Sequence, residues 1–359
     1  AQLSQPAIRL ARDGFAITPR LHEMLATFRD TGGFDPAGRA LFYDGAGQPL
    51  PVGTVVKNPA LAATLDKIAK KGPAAFYSGE NAKAVAGRVS AATPHPAGMS
   101  EADMAAYSAK ERPPVCATYR IYRICGMGPP SSGGITVIAI LKQLERFDLK
   151  ALGKDSPVAW HLFAESQRLA YADRERYLGD ADYVKVPVQG LIDSAYLAER
   201  GDLIAADRTM GTVEAGIPAG ADTAQADGIG PEEHGTTHFV VIDRAGTAVS
   251  YTSTVESAFG SGMMVGGYYL NNELTDFSFS PEKDGKAVAN RVQGGKRPRS
   301  SMAPILVYDQ AGRLILAVDA PLVKGEPIDR HVGEMAVALA RRRDEVADRF
   351  ARCLGHRRH

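Results

Sequence analysis

One short stretch of the sequence decides the fold: Gly235-Thr236-Thr237-His238-Phe239-Val240-Val241-Ile242-Asp243. Two hydroxyl residues and a histidine lead into an alternating run of β-branched and apolar side chains, which favours a strand. The residues before it, 205–234, are rich in Gly, Ala, Asp and Thr and predict a long loop. Residues 243–246 then predict a turn, and 247–254 a returning strand, so we expect a hairpin over 236–254.

A flexible segment that runs into Gly-Thr at the head of a strand indicates a cleavage site, which we predict between Gly235 and Thr236. Cleavage would give Thr236 a free α-amine beside its own hydroxyl. Because an α-amine titrates near pH ~8, it can take the hydroxyl proton and turn Thr236 into a nucleophile. The alternative is that Thr236 and Thr237 are ordinary strand residues, since β-branched residues favour strands.

Composition is that of an ordinary globular protein. The 359 residues are enough for a large core or two domains, and 45% hydrophobic with 23% charged content is typical of such proteins. A net charge of +1 gives no electrostatic reason to expect a nucleic-acid partner. No run of 18 apolar residues predicts a membrane span. The first residues, Ala1-Gln2-Leu3-Ser4, lack the pattern of a signal peptide.

The cysteines give no sign of a metal site. Cys116, Cys125 and Cys353 lack metal-ligand spacing, and we expect neither a metal nor another cofactor. Cys116 and Cys125 lie in one strand-like run, and we predict that they are small buried apolar residues rather than a disulfide.

Elsewhere helical and strand patterns alternate, which predicts a mixed α/β (α+β) fold. Helices are predicted, each with an N-terminal capping signal or a glycine stop, at 4–14, after Thr18-Pro19, from Asn58-Pro59 to Gly72, after the Ser100–Asp103 capping box, at 135–147, from 155–157 to about Tyr177, and at 193–203. Residues 115–127 predict a single strand. The charged residues between Arg168 and Arg176 predict a solvated helix face with internal ion pairs.

Several motifs in order resemble the γ-glutamyltranspeptidase (glutathione hydrolase) family, from about residue 5 to about residue 318. Besides the Thr-Thr-His at 236–238, they are Pro129-Pro130-Ser131-Ser132-Gly133-Gly134, Tyr171-Ala172-Asp173-Arg174 with Tyr177-Leu178-Gly179-Asp180, Phe259-Gly260-Ser261-Gly262, Leu270 to Ser278, and Lys296 to Met302. The resemblance implies the four-layer αββα sandwich of the amino-terminal nucleophile (Ntn) hydrolases. It also implies a large-subunit-like portion at 1–235, a small-subunit-like catalytic portion at 236–318 and a divergent tail at 319–359.

The resemblance assigns the catalytic residues. Thr236 is the nucleophile, released by cleavage after Gly235, and Thr254 supports its amine. His238 lies two residues after Thr236 and is expected to be structural, because the amine already supplies the base.

The resemblance also assigns the substrate-binding residues. Glu273 and Asp276 match positions that hold the substrate's α-ammonium, and Ser300 and Ser301 match a pair that hydrogen-bonds its α-carboxylate. Glu256 stands where an asparagine that binds substrate is commonest in the family, and it can still accept a hydrogen bond from an ammonium.

The activity that the resemblance implies is transfer of the γ-glutamyl group of glutathione and other γ-glutamyl compounds to water, an amino acid or a dipeptide. The two cleaved halves would form a heterodimer, in the periplasm or outside the cell. A related acylase acting on a glutaryl or other acyl amide is an alternative, favoured by Glu256 and by a short lid at 280–295. An inactive remnant is a third interpretation.

Two breaks in the resemblance favour that third interpretation. The family's opening section, with its carboxylate-binding arginine, has no counterpart here. After Val318 the expected glycine pair is replaced by Asp319-Ala320-Pro321, which leads us to expect a truncated or frame-shifted gene product. The tail keeps one helical pattern, at 332–350, with apolar residues among charges.

Overall fold

The computed structural model describes residues 1–92, 98–153, 155–228 and 236–319. Its helices are α1 (Gln5–Asp13), α2 (Pro19–Thr27), α3 (Arg29–Gly32), α4 (Pro36–Phe42), α5 (Pro59–Lys71), α6 (Ala74–Tyr77), α7 (Gly79–Ala92), α8 (Glu101–Ala106), α9 (Gly133–Gln143), α10 (Leu149–Leu152), α11 (Pro157–Tyr177), α12 (Val188–Leu191) and α13 (Ser194–Asp202). Its strands are β1 (Phe15–Ala16), β2 (Val55–Val56), β3 (Val115–Tyr119), β4 (Tyr122–Gly126), β5 (Thr237–Ile242), β6 (Ala248–Ser253), β7 (Met264–Val265), β8 (Tyr268–Tyr269), β9 (Glu282–Lys283), β10 (Lys286–Ala287), β11 (Pro304–Tyr308) and β12 (Leu314–Asp319). Short 3₁₀ turns cover Gln2–Ser4, Leu144–Arg146 and Glu273–Asp276.

The chain forms two compact units, and neither is continuous in sequence. Unit 1 contains Ala1–Glu111 and Thr254–Asn272, and unit 2 contains Arg112–Ser253 and Glu273–His359. The chain therefore leaves unit 1 after Glu111 and returns to it for 19 residues after the hairpin. This division differs from the subunit boundary expected before Thr236, which stays a prediction.

Helices with local capping chemistry begin where the sequence predicts. The side chain of Thr18 accepts a hydrogen bond from the Leu21 N–H at the start of α2, and Asn58 does the same for α5. Ser100 and Asp103 form the predicted capping box of α8. Each contact satisfies an amide that the helix itself leaves without an acceptor.

Unit 1 is completed by the returning segment 254–272. The Met264 N–H donates to Asp35 Oδ2 over 3.1 Å, and Tyr269 donates its hydroxyl to the Gly32 carbonyl over 2.6 Å. Asn58, which caps α5, also donates Nδ2 to the Gly267 carbonyl over 2.7 Å. These bonds join residues more than 200 positions apart and fix the returning segment against the first helices.

The core of unit 2 is an antiparallel sheet of order β12-β11-β4-β3 with helices on one face. Helix α9 packs against β3, β4 and β11, and α11 and α13 pack against α9. The predicted strand at 115–127 is in fact two strands, because the chain reverses at Arg120, which has φ of 53°.

The predicted hairpin over 236–254 is confirmed as β5 and β6, paired from Thr237↔Ser253 to Ile242↔Ala248. Strand β6 contacts β11 and β12, and Ser250 Oγ donates to the Val318 carbonyl over 3.2 Å. The hairpin therefore packs on the sheet, and a cavity of about 330 Å³ lies between them, lined by residues of β4, β6 and β11. Its other face exposes apolar side chains, namely Phe239, Val241, Val249 and Tyr251.

The prediction for Cys116 and Cys125 is wrong. The two residues lie directly opposite each other in the β3–β4 pairing and form a disulfide, with their Cα atoms 4.1 Å apart. Reading one strand instead of two hid this pairing, because residues on one strand cannot face each other.

The charged segment at the end of α11 is also not the solvated face that the sequence predicts. Asp173 and Arg174 are 3% and 4% exposed, because α11 lies beneath other parts of unit 2.

Three sequence predictions fall wholly or mainly on residues outside the described ranges: the cleavage site at Gly235, the divergent tail at 319–359, of which only Asp319 is described, and the helix at 332–350. In the part of the chain that the structure describes, no helix has both the length and the apolar character needed to cross a membrane.

Candidate active site

Thr236 is exposed and stands immediately before β5. Its neighbour Thr237 forms the first pair of the hairpin with Ser253. Unit 2 therefore holds the predicted nucleophile at the end of a hydrogen-bonded strand, where its position is fixed by the pairing that follows it.

Thr254 and Glu256 belong to unit 1 and form a small network of their own. The Glu256 N–H donates to Thr254 Oγ1 over 2.9 Å, and the Glu256 carboxylate accepts from Asn272 Nδ2. Asn272 in turn accepts from the Ser257 N–H over 3.0 Å. Glu256 is only 8% exposed and has φ of 72°, a left-handed conformation that is costly for a side-chain-bearing residue.

Glu273 and Asp276 are the first and last residues of one 3₁₀ turn. Side chains three residues apart in such a turn lie one above the other, so the two carboxylates share a side. Asp276 is 7% exposed and Glu273 is half-buried. We call this turn the acidic turn.

Ser300 and Ser301 are held by the loop that precedes α9. The Ser300 carbonyl accepts from both the N–H and the hydroxyl of Ser132, each over 2.8 Å, and Ser131 Oγ donates to the Met302 carbonyl over 2.6 Å. Gly133 is needed here, since a Cβ at this position would lie 2.4 Å from the Met302 carbonyl oxygen. The motif at 129–134, which the sequence offers only as part of the family resemblance, therefore supports the serine pair in the structure.

Asn290 joins the acidic turn to the serine pair. Its side chain is fully buried, donates Nδ2 to the Asp276 carbonyl over 2.7 Å and accepts from the Arg299 N–H over 3.0 Å. One amide side chain therefore bridges the end of the acidic turn and the residue before Ser300. Sequence analysis missed Asn290, for which the only signal is a lone amide after the apolar pair Val288-Ala289.

Arg174 is the second residue that sequence analysis missed. It donates Nη2 to Ser301 Oγ over 2.5 Å and Nε to Ser132 Oγ over 2.8 Å. Glu175 accepts from Arg174 Nη1 over 2.6 Å and from Arg299 Nη2 over 2.8 Å. Two buried guanidinium groups and one carboxylate thus lie directly behind the serine pair.

Lys296 holds the backbone on both sides of Asn290. Its ammonium donates to the carbonyls of Ala289 and Arg291, over 2.5 and 3.0 Å. Burial, with a smaller contribution from the charge of Arg291, lowers the pKa of Lys296 to about 8. Burial of this amine disfavours its charged form.

His238 lies within the hairpin as a hydrogen-bonded residue. Its Nδ1 is 2.9 Å from Thr252 Oγ1 on the paired strand, and its Nε2 is 3.4 Å from Ser250 Oγ. These contacts fit the structural role expected for it. Within the described ranges, no group of three or more His, Cys, Asp or Glu side chains is arranged to hold a metal ion.

A hairpin that begins next to Thr236 and packs on a helix-backed sheet matches the class that the resemblance implies, the Ntn hydrolases. The described residues of unit 2 supply three successive layers of that architecture. A crystal structure of cephalosporin acylase from Bacillus halodurans has a similar fold, with a TM-score of 0.71, 24% sequence identity, and coverage of 87% of this chain and 54% of that chain.

The chain belongs to the γ-glutamyltranspeptidase family, whose model matches residues 1–321. It is 37% identical over 326 residues to the glutathione hydrolase proenzyme of Escherichia coli K12, covering 88% of this chain and 54% of that protein. It is 36% identical over 323 residues to the acylase ACY 1 proenzyme of a Pseudomonas species (strain V22), covering 89% and 54%. The chain therefore spans about half the length of the curated relatives it matches, and the roles predicted for single residues remain predictions.

Proposed function

We propose that this chain carries the active centre of a γ-glutamyltransferase and glutathione hydrolase. The observation that carries the proposal is the Asn290 bridge between the acidic turn and the serine pair. The free end of a γ-glutamyl group has an ammonium and a carboxylate on one carbon. Two carboxylates suit the ammonium and two hydroxyl donors suit the carboxylate, and such charge-assisted hydrogen bonds are the strong ones.

Maturation comes first in this proposal. The Thr236 hydroxyl oxygen attacks the Gly235 carbonyl carbon, and the bond to the Thr236 nitrogen breaks, which leaves an ester and a free amine. Water then hydrolyses the ester, so that Gly235 ends in a carboxylate and Thr236 begins a new chain with both its amine and its hydroxyl.

Turnover uses the same two groups of Thr236. The amine accepts the hydroxyl proton as the oxygen attacks the γ-carbonyl carbon of the substrate, and it returns a proton to the departing amine. Water, or the amine of an amino acid or dipeptide, then attacks the carbonyl carbon of the resulting γ-glutamyl ester. The bond to the Thr236 oxygen breaks, which restores the hydroxyl and releases glutamate or a new γ-glutamyl amide. For Thr254 and Glu256 we keep only the roles that the family resemblance implies, a catalytic hydroxyl and a substrate-binding carboxylate.

The two pieces would stay together as a heterodimer after cleavage. Strand β11, from the second piece, pairs with β4 of the first piece over residues 305–308 and 123–126. In unit 1, Met264 and Tyr269 of the second piece bond to Asp35 and Gly32 of the first. Cutting one bond before Thr236 breaks none of these contacts.

An acylase that acts on a glutaryl or other acyl amide is the second candidate. The 36% identity to acylase ACY 1 supports it as a candidate, because that protein is equally well covered by this chain. A glutaryl group lacks the ammonium, so this candidate gives the acidic turn no cation to bind.

The disulfide between Cys116 and Cys125 supports a location of this protein in the periplasm or outside the cell. Disulfides persist in oxidising compartments and are rare in the cytosol. Fractionation of expressing cells, with detection of the chain in each fraction, tests this location.

The test of the function starts with the intact mass of the purified chain after prolonged incubation. We expect two pieces, the second beginning at Thr236, in the wild type and in Thr236→Ser, and a single 38.2 kDa chain in Thr236→Ala. Thr237→Ala is the matched control and should cleave normally. Release of p-nitroaniline from γ-glutamyl p-nitroanilide, faster than from glutaryl p-nitroanilide, then supports the first candidate, and the reverse order supports the acylase.

A wild-type chain that stays uncut contradicts the proposal, as does cleavage at the same bond in Thr236→Ala. The inactive remnant would then be the better description.

A further inference from the structure

We infer that Arg174 is a positioning residue that turns the Ser301 hydroxyl toward the substrate carboxylate. The inference rests on the proposed function, because it concerns the carboxylate end of the proposed site. Arg174 belongs to the charged segment of α11, and its role follows from three observations within unit 2.

The first contact fixes the direction of the Ser301 proton. Arg174 Nη2 lies 2.5 Å from Ser301 Oγ, and both residues are at least nine-tenths buried. A guanidinium has five donors and no acceptor, so the serine oxygen must accept at this contact. The serine proton therefore points away from Arg174, and the hydroxyl acts as a donor on its other side.

The second observation is a set of contacts that hold the Arg174 side chain and backbone in place. Its Nε donates to Ser132 Oγ, its Nη1 to Glu175, and Arg299 Nη1 donates to its backbone carbonyl over 2.9 Å. The centroid of the Tyr171 ring lies 5.2 Å from the guanidinium carbon of Arg174. Because the guanidinium is held at several nitrogens, it presents Nη2 to Ser301 in one geometry.

The third observation is that Arg174 holds the Ser301 hydroxyl, whereas other residues hold the Ser301 backbone. The backbone around Ser301 is held by other groups, since Ser132 and Ser131 bond to the carbonyls of Ser300 and Met302. Removing Arg174 should therefore allow the Ser301 hydroxyl to reorient while residues 300–302 keep their path. A change of this kind weakens binding of a carboxylate without removing the nucleophile.

The test compares Arg174→Gln and Arg174→Lys with Arg176→Gln, a control two residues along the same helix whose guanidinium pairs with Asp227 instead. Trp160 fluorescence checks that each variant is folded. Two anilides serve as probes: γ-glutamyl p-nitroanilide, and 4-aminobutyryl p-nitroanilide, which lacks only the α-carboxylate.

We expect Arg174→Gln to raise KM for the γ-glutamyl probe about 10-fold or more, the loss of one charge-assisted hydrogen bond, with kcat changed by less than about twofold. KM for the 4-aminobutyryl probe should not change. Arg174→Lys should recover part of the loss, because it keeps the charge without the fork of donors. Ser301→Ala should show the same pattern, and the double variant should be no worse than Ser301→Ala alone.

Additive effects of the two substitutions overturn the inference, as does an equal rise of KM for both probes. If neither Arg174 variant folds while Arg176→Gln does, Arg174 is structural only and the inference is wrong.

A crystal structure of Arg174→Gln distinguishes failure of the inference from failure of the proposed function. A Ser301 side chain that keeps its rotamer refutes the positioning role even in an inactive protein. A Ser301 side chain that rotates on an unchanged backbone, in a protein that hydrolyses neither probe, supports the positioning role and rejects the function.

Discussion

Replacing Asn290 by alanine tests whether the acidic turn and the serine pair are held together as described. The change removes one hydrogen bond from the Asp276 carbonyl and one from the Arg299 N–H, both at a fully buried side chain. A hydrogen bond contributes about 1 kcal/mol net, and leaving a buried group without it costs about 1–3 kcal/mol. We therefore expect Asn290→Ala to lower the free energy of unfolding by about 2–4 kcal/mol.

Urea unfolding followed by tryptophan fluorescence measures this loss of stability in unit 2, the unit that contains Asn290. The chain has a single tryptophan, Trp160, and it lies on α11 of unit 2. With a urea dependence of roughly 2–3 kcal/mol per molar, the midpoint should fall by about 1 M. Gln293→Ala is the control, because Gln293 is exposed and only three residues away.

The same variant should weaken substrate binding. KM for a γ-glutamyl anilide should rise in Asn290→Ala and stay unchanged in Gln293→Ala, because only the former releases the two halves of the binding site from each other. An unfolding midpoint equal to that of the control would refute the bridge. A lower midpoint with unchanged KM would leave the bridge a purely structural feature.

Two further predictions concern stability. Replacing both Cys116 and Cys125 by alanine should lower the unfolding free energy by roughly 2–3 kcal/mol, since the disulfide closes a loop with a sequence separation of 9; alkylation of the unfolded, unreduced chain should label only Cys353, and labelling of all three cysteines would contradict it. The pKa of Lys296 falls from 10.5 to about 8 on folding, so between these pH values the unfolded chain binds more protons than the folded one. The free energy of unfolding of the wild type should therefore rise by roughly 1–2 kcal/mol relative to that of Lys296→Met as pH rises from 7.5 to 10, after allowance for solvent screening. Urea midpoints of both proteins at the two pH values measure the gain, and a constant difference or a loss would contradict it.

The sequence predicts those features whose chemistry is local. Thr18, Asn58 and Ser100 cap helices because each side chain reaches an amide three residues away. The hairpin at 236–254 is readable because its alternation matches the period of a strand.

Features made by distant residues are not readable in this way. The disulfide requires that Cys116 and Cys125 lie on different strands, and the pattern at 115–127 does not show where one strand ends. Arg174 contacts Ser301, 127 positions away, and a run of charges reads as exposed because no local signal shows what covers it.

The candidate site also has parts that the sequence predicts and parts that depend on contacts between distant residues. The motifs predict Thr236, Glu273 and Ser301 as site residues, but they do not predict the contact that ties the acidic turn to the serine pair. Asn290 performs that task with one amide, and a single polar residue after an apolar pair carries no sign of its two backbone partners.

The return of residues 254–272 to unit 1 has a consequence for synthesis. A ribosome adds about 5–20 residues per second, so after residue 111 the rest of unit 1 is not made for roughly 7–30 s. During that interval Asp35 and Gly32 still lack the bonds that Met264 and Tyr269 later form with them. Unit 1 therefore stays incompletely folded while most of unit 2 is synthesised, and it is the part of the newborn chain that would depend on chaperones.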